Sequence, residues 1–379
     1  MDASPFSVVH LDLAEGSKDP ADPASRYARA AELLQEWERV GALTRAAEPL
    51  FYVYEMWVGE GVHAAPSHGP DGRAPRAVRG VICAMQLEDW GGTVLPHELV
   101  MPGPVDDRLA LLRSTHTHLS PVYGTVDGPD GRLDDELRGV ASTTDPMSET
   151  VDEQGVRHRM WSLPGDALDL SHLAGEQLLI ADGHHRYTTA LRYREEQRAR
   201  FGDGPWDGVL TLVVDATAED LPVLPFHRVQ LAGAPPAPIG EPVSDLREAL
   251  AALGDDRGTI ATITADAQGR PRYRVRTLHG VGPTVAALHR QLLDRLAPDL
   301  AIRFVADAAE ADSAVDRGDA VAAYLLPPTT PDRIREAVGR GERLPQKSTY
   351  FWPKPRTGMV MMPLERDRVP ARGLPDRAS

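Results

Sequence analysis

Residues 179–187 read LIADGHHRY, an acid, a glycine, two histidines and an arginine in succession. Arg186 can fork two hydrogen bonds onto phosphate oxygens, and His184 or His185 can donate another. Gly183 lets the backbone approach a ligand closely. An apolar run precedes the cluster and helical spacing follows it. A helix beginning near Tyr187 would aim its first free N–H groups, and the positive end of its dipole, at the same place. Phosphate is the ligand that suits all of these groups at once. Asp182 cannot welcome a bare phosphate, so it fits better as a Mg²⁺ ligand, a base for a hydroxyl, or an orienter of a histidine. The residues alone imply an anion site. The structural alternative is a turn whose Asp caps the helix and whose histidines bond main-chain carbonyls.

Other candidate groups are weaker singly. His97 and Glu98 in PHEL, and Asp106, Asp107 and Arg108 in DDR, either flank the same pocket or form a solvated face. GVRHRMW sets Arg157 and Arg159 on one face of a strand and His158 on the other. His227 and Arg228 close a strand at LPFHRV, as a strand-end cap or as site residues. Near the C-terminus, Gln346, Lys347, Ser348 and Thr349 precede Tyr350-Phe351 and Trp352-Pro353-Lys354. Proline fixes the backbone there, so polar and cationic residues held by aromatics suggest a site wall. A docked surface strand is the alternative.

The elements that must position these residues follow from periodicity. FSVVHLDL reads as a short strand. Apolar residues at Tyr27, Ala30, Ala31, Leu34 and Trp37 give a helix, with Ser25 as N-cap and Gly41 at its end. Leu50–Val58 and residues 76–87 read as a strand pair. The Gly/Pro-rich insert between them, with His63 and His68, reads as a loop. A helix is expected over Val105 to Arg113, and a strand at SPVYGTV. The GPDGR turn follows, then a polar acidic region to about Pro146, and a strand at GVRHRMWSL. Leu178 to Glu196 gives strand, turn and helix; two strands follow around Leu210 and Leu224. The Pro/Ala/Gly stretch from Leu231 to Ser244 marks a linker. Beyond it, strands and helices in alternation indicate an α/β or α+β second half.

Composition bounds the class. With 379 residues, 42% hydrophobic and 26% charged, the chain can bury a substantial core. A net charge of −15 argues against nucleic acid as a partner while leaving room for a local basic site. The single cysteine, Cys83, lies in an apolar alternating run and reads as core; no disulfide or CxxC site is available. No stretch reaches the ~18 apolar residues of a membrane span. The N-terminus shows no signal-peptide pattern, so a cytoplasmic setting is expected.

The stretches LIADGHHRYTTALRYREE and LPQKSTYFWPKPRTGMV resemble the signature segments of the bacterial family called domain of unknown function 1015. Further segments from SPFSVVHLDL to LPFHRV are similar to it in the same order, so the resemblance spans nearly the whole chain. The family's D-G-H-H-R turn is in turn similar to the phosphate-binding motif of the ParB/sulfiredoxin superfamily, which includes DNA-partition proteins, sulfiredoxins and kinases of free serine. The resemblance implies an α/β (α+β) fold. Residues 1–230 would form a ParB-like nucleotide-binding domain, and residues 231–379 a second α/β domain whose tail reaches the site.

It implies a kinase for the hydroxyl of a small, serine-like amino acid, with ATP or CTP as donor and Mg²⁺ as cofactor. Asp182, His184, Glu98 and Lys347 would be catalytic, with Asp182 also on the metal. Gly183, His185, Arg186, Ser348 and Thr349 would bind the nucleotide. Arg108, Arg157, Arg159 and His97 would bind the acceptor. The alternative is a ParB-like switch that binds and hydrolyses nucleotide without a small-molecule acceptor. No basic recognition helix accompanies it. A homo-oligomer is left open. Sulfiredoxins carry a nucleophilic Cys where this turn has His184, so their chemistry is not expected. Family members usually begin with a further APPYDVI-like segment, and the early acid that serves the serine kinases as base has no counterpart named in this sequence.

Overall fold

The computed structural model describes residues 4–13, 25–58, 77–128, 131–217, 221, 223–280, 282–294 and 301–365. The expected loop with His63 and His68, and residues 129–130 of the GPDGR turn, lie outside these. The protein is a mixed α/β fold built around two sheets.

The larger sheet has eight strands. They are β1 (Leu50–Val58), β2 (Ala77–Gln86), β3 (Val94–Leu95), β5 (Val122–Val126), β6 (Ser148–Val151), β7 (Val156–Pro164), β8 (Leu178–Asp182) and β9 (Gly208–Asp215). Their order is β3-β8-β5-β9-β2-β1-β7-β6. Strands β1 and β2 pair antiparallel, as their alternation predicts. Strands β8 and β5 are buried on both faces and read as nearly unbroken apolar runs, which is the pattern of a sheet covered on both sides.

One face is covered by helices α4 (Arg132–Thr143) and α5 (His184–Phe201). Leu133, Leu137, Tyr187, Ala190 and Leu191 pack there against Val53, Val81, Ile180 and Val213. Cys83 packs against this same core, and burial pushes its thiol up to about 12. The other face meets the helix Pro331–Gly339 and the C-terminal strap. Ile334, Ala337, Phe351 and Trp352 cover Tyr54, Ile82, Tyr123 and Leu212. Helix α3 (Pro102–Thr115) lies beside α5, with Thr189 Oγ1 donating to the Val105 carbonyl at 3.4 Å.

The second sheet has six strands, all antiparallel. They are β11 (His227–Gln230), β12 (Glu241–Val243), β13 (Thr259–Ala265), β14 (Pro271–Thr277), β15 (Ile302–Val305) and β16 (Ala322–Leu325). Helix α6 (Leu246–Leu253) starts at the cap Asp245, whose side chain accepts from the Glu248 N–H at 2.8 Å. Between the sheets, β10 (Val223–Leu224) pairs with β17 (Tyr350–Phe351). The aromatic tail therefore docks as a strand and crosses the face of the larger sheet.

Four expectations change. Within FSVVHLDL the residues Val9–Asp12 form a short helix, α1, in which only Leu11 is buried while Arg108 grips Asp12. The polar stretch before Pro146 is helix α4. Leu133 and Leu137, four apart, bury one face of it, and charged neighbours mask that stripe in sequence. The linker carries the short strand β12. Helix α5 starts at His184 rather than near Tyr187, because Gly183 turns the chain at φ 99° directly after β8.

Candidate functional site

The parallel pairing of β3 and β8 brings the candidates together. Val94 faces Leu178 and Leu95 faces Leu179, so the chain beyond β3 delivers His97 and Glu98 beside Ala181 and Asp182. The strap then closes on this edge. Leu344 N–H donates to the His97 carbonyl at 2.7 Å, and Leu99 N–H to the Leu344 carbonyl at 3.3 Å. Lys347 N–H donates to Glu98 Oε1 at 3.0 Å. A region 160 residues past the turn thus lines it.

At the turn, Gly183 is the N-cap of the 18-residue helix α5, and no side chain caps the helix. The positive φ suits glycine. A Cβ there would come within 3.1 Å of Arg186 Nε. Tyr187 pins the first turn. Its ring is fully buried, worth roughly 1.5–3 kcal/mol, and its hydroxyl donates to the Glu88 carbonyl at 2.7 Å.

Asp182 is engaged on both oxygens. Oδ2 binds Arg186 Nη2 at 2.5 Å, and Oδ1 binds Lys354 Nζ from the strap. Burial by itself would raise its pKa, but Lys354 and Arg186 outweigh that and hold the carboxyl well below the usual range. Arg186 also donates to Ser120 Oγ at 3.1 Å and to the Pro121 carbonyl. Glu98 differs. Burial pushes its pKa up, opposed by the Lys347 N–H and ammonium.

The histidines brace the site from beneath. His184 is 7% exposed. Its Nε2 accepts from the His97 N–H at 3.2 Å, and its ring lies against His97 and Trp90. Burial, then the neighbouring His97, drives its pKa well below the ordinary imidazole value. His97 is fully buried, pairs its Nε2 with Thr349 Oγ1 at 2.7 Å, and is pushed down by burial to about 4. His185 is half-buried and accepts from the Met101 N–H at 3.2 Å. Ser348 and Thr349 are buried, the first donating to the Pro345 carbonyl.

These contacts give the expected site residues distinct surroundings. His184 is held neutral by burial, and its Nε2 accepts from the main chain. His97, Ser348 and Thr349 are interior groups packed beside the strap. Arg157 and Arg159 are not at this edge. Strand β7 lies five places from β8, roughly 24 Å along the sheet at ~4.8 Å per strand. There Arg157 pairs with Glu149 and Arg159 with the buried Glu55.

Arg108 is nearer. It grips Asp12 in a small cleft that also contains Arg186, Ser120, His118 and Thr189. Lys347 keeps its ammonium exposed, over the Phe226 ring at 5.5 Å. Sequence reasoning missed Lys354 as a site cation. Its signal was a lysine between two prolines inside the stretch already read as a wall.

A magnesium ion would need one or two carboxylates beside phosphate oxygens. Asp182, the expected ligand, spends both oxygens on cations. Among the described residues no group of three or more His, Cys, Asp or Glu side chains is placed to hold a metal. With both cations in place, Asp182 has no oxygen left for Mg²⁺. Among the described residues no helix is long and apolar enough to cross a membrane.

The sequence family described as Protein of unknown function (DUF1015) matches residues 1–238. No protein of curated function matches the chain. Among solved structures, the chain is similar to a free serine kinase in complex with AMP, with 12% identity and a TM-score of 0.43 over 76% of this chain and 93% of that one. It is also similar to SbnI with C-terminal truncation from Staphylococcus aureus, at 11% identity and a TM-score of 0.41, covering 75% and 87%. A conserved hypothetical protein from Pyrococcus furiosus gives 12% identity and a TM-score of 0.36 over 71% and 89%.

Proposed function

The chain belongs to the family described as Protein of unknown function (DUF1015), and from that premise we propose a nucleotide-dependent kinase acting on the hydroxyl of a small amino acid, serine first. One observation carries this reading. The uncapped start of α5, behind a left-handed glycine, is flanked by Arg186, Lys354 and Lys347 in a chain of net charge −15. A local excess of cations and free N–H groups on an acidic protein suits a polyphosphate.

In this reading residues 1–230 carry the nucleotide site and residues 231–379 supply the strap. The phosphates of ATP or CTP sit over Gly183 and the N–H groups of His184, His185 and Arg186. Arg186 and Lys354 turn from Asp182 toward phosphate oxygens, and Lys347 neutralises charge growing on the transferring group. Glu98 takes the proton of the acceptor hydroxyl. The new O–P bond forms as the bond from the γ-phosphorus to the bridging oxygen breaks, and nucleoside diphosphate leaves. Burial raises the pKa of Glu98, which suits a base for the acceptor hydroxyl. Arg108 holds the acceptor carboxylate once Asp12 yields. No step is assigned to a protein-held metal.

The test is incubation with Mg²⁺, ATP or CTP and a panel of hydroxy amino acids, followed by mass spectrometry. A phosphorylated amino acid is the expected product. Nucleotide hydrolysis indifferent to every amino acid would replace the kinase by a nucleotide-hydrolysing switch. A protein that binds neither nucleotide overturns both.

A further inference from the structure

Arg228, on β11, is fully buried. Among the described residues it has no carboxylate within ion-pair distance. Each of its three nitrogens nonetheless donates. Nε donates to His289 Nε2 at 3.3 Å, Nη1 to the Phe226 carbonyl and to the Lys347 carbonyl at 2.9 Å, and Nη2 to the Gln346 carbonyl at 3.2 Å. The guanidinium lies over the Phe304 ring at 4.9 Å. A buried cation without an acid partner is an expensive way to fill a core. Burial accordingly pushes its pKa down to about 9, opposed by the charge of Glu98. Two of its four acceptors are consecutive strap carbonyls, at the point where Lys347 adopts a left-handed conformation, φ 56°. That conformation is uncommon for a residue with a side chain.

We infer that Arg228 is the positioning residue of the strap: its fork on the Gln346 and Lys347 carbonyls fixes the left-handed kink that sets the Lys347 N–H on Glu98 and the Lys347 ammonium at the mouth of the turn. A planar fork suits this task, because it reaches adjacent carbonyls from one rigid group. The clamp ties the six-stranded sheet to the candidate site on the eight-stranded one. Its consequence for a nucleotide rests on the function proposed above; the clamp itself does not.

The experiment combines amide hydrogen exchange over residues 343–356 with calorimetric titration of ATP, on the full chain and three variants. Arg228→Met should speed exchange at residues 346–349 at least tenfold, leave the amides of β1 and β2 unchanged, and weaken ATP binding at least tenfold. Arg228→Lys keeps the charge without the fork, and should loosen the strap equally; it also carries the comparison if the Met variant does not fold. Lys347→Gly favours the kink and preserves both main-chain bonds, so exchange should stay as in the wild type while ATP binding weakens. Strap exchange within twofold of wild type in Arg228→Met, or full restoration by lysine, overturns the clamp. A wild type that binds neither ATP nor, in a parallel titration, CTP overturns the proposed function, and the exchange measurements still decide the clamp.

Discussion

Lys354 and Asp182, 172 residues apart in sequence, meet as an ion pair at the start of α5. Arg186 takes the second oxygen of the same carboxylate. One acid therefore parks two cations where the helix dipole already favours an anion. Lys354 is 37% exposed and Asp182 30%, so the pair is worth little to the fold. Lys354→Met should change stability by no more than about 1 kcal/mol. It should weaken ATP at least tenfold, about 1.4 kcal/mol. Thermal melting and calorimetric titration separate the two effects, and unchanged ATP affinity would remove Lys354 from the site.

Gly183→Ala tests the turn itself. At φ 99° a side chain is strained by roughly 1–2 kcal/mol. The new methyl would also press on the Arg186 guanidinium, 3.1–3.2 Å from the ideal Cβ position. The variant is expected to unfold at lower urea by that amount and to bind ATP more weakly than wild type. Wild-type stability with wild-type affinity would contradict both the strain and the close approach.

Legibility in the sequence followed periodicity. Strands β1, β2 and β7 and the strand–turn–helix at residues 178–196 were readable because apolar alternation or helical spacing exceeded local noise. Helix α4 was not, because a two-leucine stripe among acidic and basic neighbours gives too little contrast. For the candidate site, side-chain chemistry singles out Asp182 and Glu98, but their mutual nearness comes from the parallel β3–β8 register, which no local pattern encodes. The buried contacts of His97, His184 and Thr349 were not legible for a related reason. A polar side chain looks the same in sequence whether it faces a ligand or a buried partner far along the chain. Lys354 and Arg228 act through contacts with residues 172 and 118–119 positions away.

Acid lability should report the buried imidazoles. His97 is held at about 4 against an ordinary value of 6.5, and His184 shifts the same way. The unfolded chain therefore binds protons first as pH falls. Their contribution is complete above pH 6.5 and is lost as pH drops through about 4, on the order of 3 kcal/mol for His97 alone. Urea unfolding across that window should show a shallower slope in His97→Gln than in wild type. Equal slopes would mean that His97 is not kept neutral by the fold.

Glu98 predicts the rate profile. Its carboxyl is raised from 4.5 by burial, so the base form, and with it turnover, should grow as pH rises through that raised value. Glu98→Gln keeps an acceptor for the Lys347 N–H and removes the base. A fall in turnover of about 10²–10⁴ is expected, with ATP affinity within threefold of wild type. Retained turnover would pass the role of base to another group.

The two arginines of β7 supply the contrast. Arg157 and its partner Glu149 are each about two-fifths exposed, so Arg157→Ala should shift stability by no more than about 0.5 kcal/mol. Arg159 shares the fully buried Glu55 with Arg79, so Arg159→Ala leaves that carboxylate with one cation in place of two. A loss of roughly 1–3 kcal/mol is expected, the range for an under-satisfied buried group. Neither change should alter ATP binding or the acceptor preference, because β7 stands five strands from the turn. Weaker acceptor binding in either variant, at unchanged stability, would bring that strand back into the site.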